Sequence, residues 1–501
     1  MLPMSPWTLI ILLLLAPAPA VAEITTQKHL TLIVASNMPD IGPTNRGSYS
    51  KLASLLQKSR QEDELSLFVF GGSSLGPSPL SSLDRGSHII DILNTLEPDL
   101  MAINKREFSY FEDELTLRSY EAAFPFISSN LYDPLTKGNL EGITTNIIID
   151  KGDVRVGFIA ILDDDAVEEY LLQRVKVHEP QNLINQQVKQ LKQQGAELVV
   201  LIYSQEIDYY QTLLDNKTID FALKISPYIE TLEDETLVKP AKRYTLSDSK
   251  TTLMLKLTWP QNSPKELTIE EISLDLKTYS DDTATVMLID EYNKRLNRLV
   301  NHPIGVLTQS ISSDKKLIRT EETVFGNFIA DALKETAQAE IALMNGGSIR
   351  GDRIYQANTT LTRGDIIREL PFRSHLAVVS VSGKQLWAAL ENSVSQVENI
   401  EGRFLQVSGI NFHYSMTQMP GRRIQSVSIN GKPLVLTQQY VLATSDYLIA
   451  GGDGFTSFSN AKNLQALTQN TPLLSDIVIR AIQKQKTITT QLEARIVRDE
   501  Q

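Results

Sequence analysis

Apolar positions in the first half of the chain fall into short unbroken runs separated by stretches of helical spacing. Residues 29–35, 65–70, 100–103, 154–161 and 198–203 are runs of the kind that fill a strand buried on both faces. Between them, residues 49–61 place Leu52, Leu55 and Leu56 on one helical face, residues 88–96 read as a second helix, and residues 181–194 form a Gln- and Lys-rich helix. Short apolar strands alternating with helices predict an α/β layer architecture. The pattern changes at Lys250: residues 252–258 and 267–276 alternate polar and apolar positions, as hairpin strands do. Residues 286–299 then read as one helix, stopped by Pro303. A second α/β pattern starts there, with a helix at 324–336 and strands at 341–344 and 440–443. No internal repeat or low-complexity tract interrupts it.

Composition narrows the class. A chain of 501 residues is long enough for two or three domains, and 42% hydrophobic residues suffice for more than one core. The formal net charge of −12 sets polymeric nucleic acid aside as a partner, since no run of Lys and Arg offsets it. A small phosphate ligand remains compatible, because a few local Arg residues can hold one. The chain has no cysteine, which excludes disulfides, thiolate metal sites and a Cys nucleophile. Residues 1–22 have the features of a signal peptide: an apolar run at 9–15, too short to span a membrane, and a small-x-small site at Ala20-Val21-Ala22. An uncleaved anchor is the alternative. The expectation is a secreted protein with no stable membrane span after cleavage. The lack of disulfides points to a bacterial periplasm.

Two Gly-rich turns follow strands in the last third. Asn345-Gly346-Gly347-Ser348-Ile349-Arg350 lets the backbone approach a ligand closely and ends in an Arg able to grip a phosphate or carboxylate. Gly451-Gly452-Asp453-Gly454-Phe455 ends in an aromatic able to stack on a base. Each alone is as readily a plain turn. They occur in order with Arg319, the segment 324–332, Thr362-Arg363-Gly364-Asp365, Leu370-Pro371-Phe372 and the segment 404–409. This series resembles the C-terminal domain of 5′-nucleotidases. The resemblance implies a nucleotide or nucleoside ligand. It places Arg319, Asn345 and Arg350 at phosphate and substrate recognition, Gly346, Gly347 and Gly454 in the ligand loops, and Phe372 and Phe455 on either side of the base.

The family's first domain is a calcineurin-like metallophosphoesterase with two divalent metals held by Asp, His and Asn at strand ends. The resemblance extends over residues 30–228, with departures at each ligand. Ser36-Asn37-Met38-Pro39 stands where the family has Asn-Asp-x-His, and Gly71-Gly72 where it has Gly-Asp. Asn104-Lys105-Arg106-Glu107-Phe108-Ser109 stands for Gly-Asn-His-Glu-Phe-Asp. Ser204-Gln205 replaces Ser-His, and Ser226-Pro227-Tyr228 replaces His-x-His. None of the six histidines lies where the family needs one. No catalytic residue, metal ligand or cofactor is therefore assigned.

Two further patterns are weaker. Gly72-Ser73-Ser74-Leu75-Gly76 matches a nucleophile elbow, but Pro77 and Pro79 follow where a helix is required. Asp163-Asp164-Asp165 with Glu168 and Glu169 lacks the Gly of a calcium loop and reads as a solvated loop and helix start.

The expected fold class is layered α/β. Residues 23–276 form a four-layer metallophosphoesterase-like domain, residues 286–299 a linker helix, and residues 303–501 a mixed α/β nucleotidase C-terminal domain. Three functions follow: a non-catalytic nucleotide- or nucleoside-binding protein, a phosphohydrolase with rebuilt ligands, or an interaction protein using only the fold.

Overall fold

A computed structural model of the chain describes residues 27–41, 48–170, 172, 174–205, 209–225, 242–246, 250–261, 266–464, 471–489 and 491–499. The expected signal peptide and the Ser226-Pro227-Tyr228 motif lie outside the described residues.

The first part is built on two sheets. The larger runs in the order Thr268–Asp275, Thr251–Pro260, Gln27–Ala35, Ser66–Phe70, Leu100–Ala102, Phe126–Ile127, Ile143–Thr144. The hairpin read from the alternation at 252–276 thus joins the first strand, antiparallel to it, while Ser66–Phe70 pairs with that strand in parallel. The smaller sheet runs Arg243–Leu246, Phe221–Ile225, Leu198–Tyr203, Val154–Ile161, Ile147–Lys151.

Side chains alternate across a strand, so each strand serves two cores. Leu30, Leu32, Val34, Leu67 and Val69 of the larger sheet share one core with Val156, Phe158, Val200 and Ile202 of the smaller. Ile33, Ala35, Phe68 and Phe70 point the other way, into helices Tyr49–Glu62 and Ser87–Leu96. Ile159, Ile161, Val199 and Leu201 meet helices Pro180–Gln193 and Tyr209–Asp215. The result is helix, sheet, sheet, helix: four layers, in which the central strands are predominantly apolar because both of their faces are buried.

The helix expected at 286–299 spans Thr283–Val300, three residues longer at its start because the Asp282 carboxylate caps it through the Thr285 amide. It packs on Tyr49–Glu62 and Ser87–Leu96 on one side and on Arg363–Glu369 on the other, so it touches both halves of the molecule.

The second half centres on a sheet in the order Leu405–Ser408, Ile341–Asn345, Gln439–Ser445, Leu376–Ser382, Lys462–Asn463. Ala342, Met344 and Ala443 face helices Val324–Ala337 and Leu474–Gln485. Ile341, Leu343 and Leu442 face helix Gly383–Ser393 and a second sheet containing Ile424–Ile429, Ile410–Ser415 and Ile496–Asp499. Among the described residues, no helix is long and apolar enough to cross a membrane.

Candidate functional site

Three neighbouring parallel strands of the larger sheet, Gln27–Ala35, Ser66–Phe70 and Leu100–Ala102, bring the loops at their carboxyl ends together. This is where α/β sheets bind ligands. Glu107 organises the loops. Its buried carboxylate accepts the Ser73, Ser74 and Asn104 amides at 2.8, 2.7 and 3.0 Å, and the Asn104 amide group donates to the Gly71 carbonyl at 2.6 Å. Burial raises the proton affinity of Glu107, and these amide donors pull it back.

The groups on this frame differ from the metal ligands that the resemblance implies. Gly72 has φ +78°, and a Cβ there would lie 2.4 Å from the Ala102 carbonyl oxygen. An aspartate does not fit this backbone. Lys105 is 7% exposed, and its ammonium lies 3.1 Å from Asp165 Oδ2 and 2.5 Å from Glu169 Oε2. Asp163 is also buried and accepts the Ser204 hydroxyl and the Gln205 amide. Burial pushes its pKa up, while the Ser204 bond and the Lys105 charge oppose the shift. The Asp163–Asp165 stretch is the expected solvated loop and helix start at Asp164 and Asp165, with helix Ala166–Glu169 following, but Asp163 is buried on the Ser204 turn and Asp165 also pairs with Lys105. Arg106 donates from Nη1 to Asn37 Oδ1 at 2.9 Å.

A two-metal centre needs a cluster of carboxylate, imidazole and amide oxygen ligands. Among the described residues, no group of three or more His, Cys, Asp or Glu side chains is arranged to hold a metal ion. Asp165 and Glu169 close around the Lys105 ammonium instead. The described residues do not fit the metal pair that the resemblance implies.

The other patterns resolve as structure. Ser74 donates its hydroxyl to the Gly72 carbonyl and accepts the Met38 amide, so the elbow-like serine is committed to the main chain. His88 is buried with Nδ1 2.9 Å from Asp84, and His375 Nδ1 lies 2.8 Å from the Thr471 carbonyl.

In the second half, the two Gly-rich turns meet. Asn345 ends its strand almost fully buried and donates to Asp453 Oδ2 at 2.6 Å, while Ser348 donates to Asn345 Oδ1 at 2.6 Å. Asp453 also accepts the Tyr447 hydroxyl at 2.9 Å, and its carbonyl accepts from Asn392 at 3.0 Å. Gly346 and Gly347 donate their amides to the Phe404 and Gly402 carbonyls, both at 2.7 Å. A Cβ on Gly347 would lie 2.9 Å from the Gly402 Cα, so glycine is required for backbone to meet backbone. Gly454 is exposed, with φ +79°. Asp453, Tyr447, Asn392 and Ser348 were not singled out from sequence. The only signal for Asp453 is an acid held between glycines.

The residues expected to contact a ligand occupy two environments. Arg350 is exposed, its guanidinium 5.2 Å over the half-buried Phe372 ring. Its amide donates to the Glu369 carbonyl at 2.8 Å, and the buried Glu369 carboxylate gathers Tyr355, Ser313 and the Gly351 amide. Arg319 is 9% exposed and donates to the Ile400 carbonyl at 3.1 Å. Phe455 is 0% exposed, stacked on Phe458 at 5.9 Å in the core shared with Leu386 and Phe404. The expected aromatic pair is therefore not presented as two open faces in this conformation. Phe372 offers one, whereas the turn at Gly452–Gly454 aims Phe455 inward, where apolar burial rewards it.

The two halves touch at both ends of this region. The helix Ala166–Glu169, which supplies Glu169 to Lys105, packs on Gly452–Gly454. Arg373 Nη1 donates to the Ser82 carbonyl at 3.3 Å.

This fold and site define a class: a four-layer metallophosphoesterase-type domain joined to a nucleotidase-type α/β domain. Comparison with known proteins agrees. Residues 303–460 match the family model of the 5′-nucleotidase C-terminal domain. The trifunctional nucleotide phosphoesterase YfkN of Bacillus subtilis is 36% identical over 184 residues, covering 35% of this chain but only 12% of that longer protein. Protein 5NUC of Lutzomyia longipalpis is 24% identical over 90% of this chain and 86% of its own length. The crystal structure of a 5′-nucleotidase precursor from Thermus thermophilus has the same fold, with a TM-score of 0.73, 22% identity and coverage of 94% of this chain and 99% of that one. Residues 303–460 carry the 5′-nucleotidase C-terminal domain, and the chain as a whole shares the two-domain fold of these proteins.

Proposed function

We propose that the protein is a secreted, non-catalytic member of the 5′-nucleotidase family that binds a nucleotide or nucleoside. One observation carries the reading. The positions that hold metal in the resembled family carry Lys105 and Arg106, and Gly72 has no room for a carboxylate. The Asn345–Asp453 loop pair, by contrast, is fully assembled. A guanidinium stays protonated near neutral pH, so Arg106 cannot relay a proton as an imidazole would. On this reading, Arg350 and Phe372 receive the ligand, the Asn345, Gly346, Gly347 and Gly454 loops shape its seat, Arg319 braces them from behind, and Phe455 packs beneath. Residues 23–276 serve as a scaffold facing residues 303–501. The apolar run at 9–15 and the cysteine-free composition support export to a periplasm.

The test is elemental analysis of protein purified without chelator, together with phosphate release from nucleoside monophosphates. The expected result is no stoichiometric pair of transition metals and release at background. Turnover that survives rigorous purification and stops on chelation would instead support the rebuilt-ligand phosphohydrolase.

A further inference from the structure

The short helix Ala166–Glu169 stands between the two halves of the molecule. On one side it packs on the turn Gly452–Gly454 of the second half. Glu169 lies near enough to the Tyr447 phenol to add to the upward shift in proton affinity that burial and then the Asp453 carboxylate give it. Tyr447 donates its hydroxyl to Asp453, and its ring covers Gly452, where a Cβ would lie 2.4 Å from the ring carbon Cε1. On the other side, Asp165 and Glu169 both reach back to the Lys105 ammonium in the cleft of the first half.

Four residues cannot hold a helix in place by their own hydrogen bonds. Within this one Ala166 alone is buried, with Val167 half-covered by the core beneath. The charge pairs must therefore supply much of the hold. Lys105 is a firm anchor for them. It sits in the turn that Glu107 ties to the Ser73, Ser74 and Asn104 amides, and an ammonium this deeply buried is stable only with carboxylates at hand. Halves of one chain move relative to each other unless a specific contact prevents it.

We propose that Lys105, Asp165 and Glu169 form an ionic latch that holds the helix Ala166–Glu169 against the Gly452–Gly454 turn and so fixes the second half against the first. The inference concerns the relation of the two halves, goes beyond the nucleotide-binding reading and does not depend on it. Opening the latch leaves the Arg373 bond to the Ser82 carbonyl and the linker helix Thr283–Val300, so the halves stay tethered but swing.

The experiment is a spin-label distance measurement on the full chain without ligand. The chain has no cysteine, so Gln186→Cys on helix Pro180–Gln193 and Ala388→Cys on helix Gly383–Ser393, both exposed positions, place one label on each half. The labelled protein should give one narrow distance distribution. Lys105→Glu and Glu169→Lys, each made alone in that background, should displace or broaden it. The two together should restore the narrow peak, because one cation again faces two carboxylates. Melting curves show which variants are folded. If the charge reversals unfold the chain, Glu169→Gln at a partly exposed position removes only one of the two pairs, and it should broaden the distribution too. A narrow, unmoved peak in the folded single variants overturns the latch. So does a broad distribution with Lys105 and Glu169 intact, or a folded double variant as broad as the single ones.

Discussion

The cleft at the strand ends of the first domain and the loop pair of the second have kept different things. In the cleft the scaffold persists: Glu107 still gathers the amides of Ser73, Ser74 and Asn104. The groups set on that scaffold are an ammonium among carboxylates and a guanidinium on an asparagine. In the loop pair, the proposed recognition residue Asn345 is part of the scaffold, since it and Asp453 hold the two turns together. A centre whose ligands hang from a separate frame can lose them without unfolding. A site whose recognition residues are its frame loses both together.

That contrast can be broken by mutation, most sharply at Phe455. A ring with no exposed surface, stacked on Phe458, is a core residue, so Phe455→Ala should cost about 3–5 kcal/mol in chemical denaturation through the cavity it leaves. An unchanged melting temperature would return Phe455 to the ligand surface. Lys105→Met comes next. It leaves Asp165 and Glu169 facing each other without the ammonium, and because both carboxylates keep some access to water the expected loss is about 1–3 kcal/mol rather than that of a fully buried pair. A stabilised Lys105→Met would show that the buried charge is a burden on the fold. Asn345→Ala should cost about 1–2 kcal/mol and abolish ligand binding as well, because one side chain does both jobs.

Phe372→Ala should separate the two roles. Its ring is half-buried beneath Arg350, so stability should change by less than about 1 kcal/mol while ligand affinity falls about five- to a hundred-fold, the worth of one stacked base face. The smallest effect lies away from both sites. Arg423 holds Glu398 down from 4.5 to about 2, so the pair stabilises the fold above pH about 4.5 and that contribution is lost as pH falls toward about 2. Glu398 is 46% exposed, so Glu398→Gln should remove less than about 1 kcal/mol, and the wild-type and variant acid-unfolding curves should converge at low pH.

Much of this was legible in the sequence, for identifiable reasons. The strands at 29–35, 65–70 and 198–203 were readable because both their faces are buried, leaving few polar positions to confuse the pattern. The hairpin alternation at 252–276 was readable too, although not its place beside the first strand, which depends on pairing across the whole domain. Two-residue strands such as Phe126–Ile127 are too short to carry a period. In the site, the departures at Asn37, Gly72, Lys105 and Arg106 were readable from residue types alone. What replaced them could not, because Lys105 meets Asp165 and Glu169 only through folding. The burial of Phe455 was not legible, because the motif fixes the turn while packing decides which way the ring points.

The central claim is that nucleotide binding and nucleotide hydrolysis have parted company in this chain. One sample of chelator-treated protein, titrated calorimetrically with nucleoside monophosphates and assayed in the same cell for released phosphate after Mn²⁺ is added back, tests it directly. The account requires binding heat for at least one nucleotide and no phosphate above background, with or without the metal. Phosphate release on adding Mn²⁺, or no heat for any nucleotide at millimolar concentration with the protein shown folded, would contradict it.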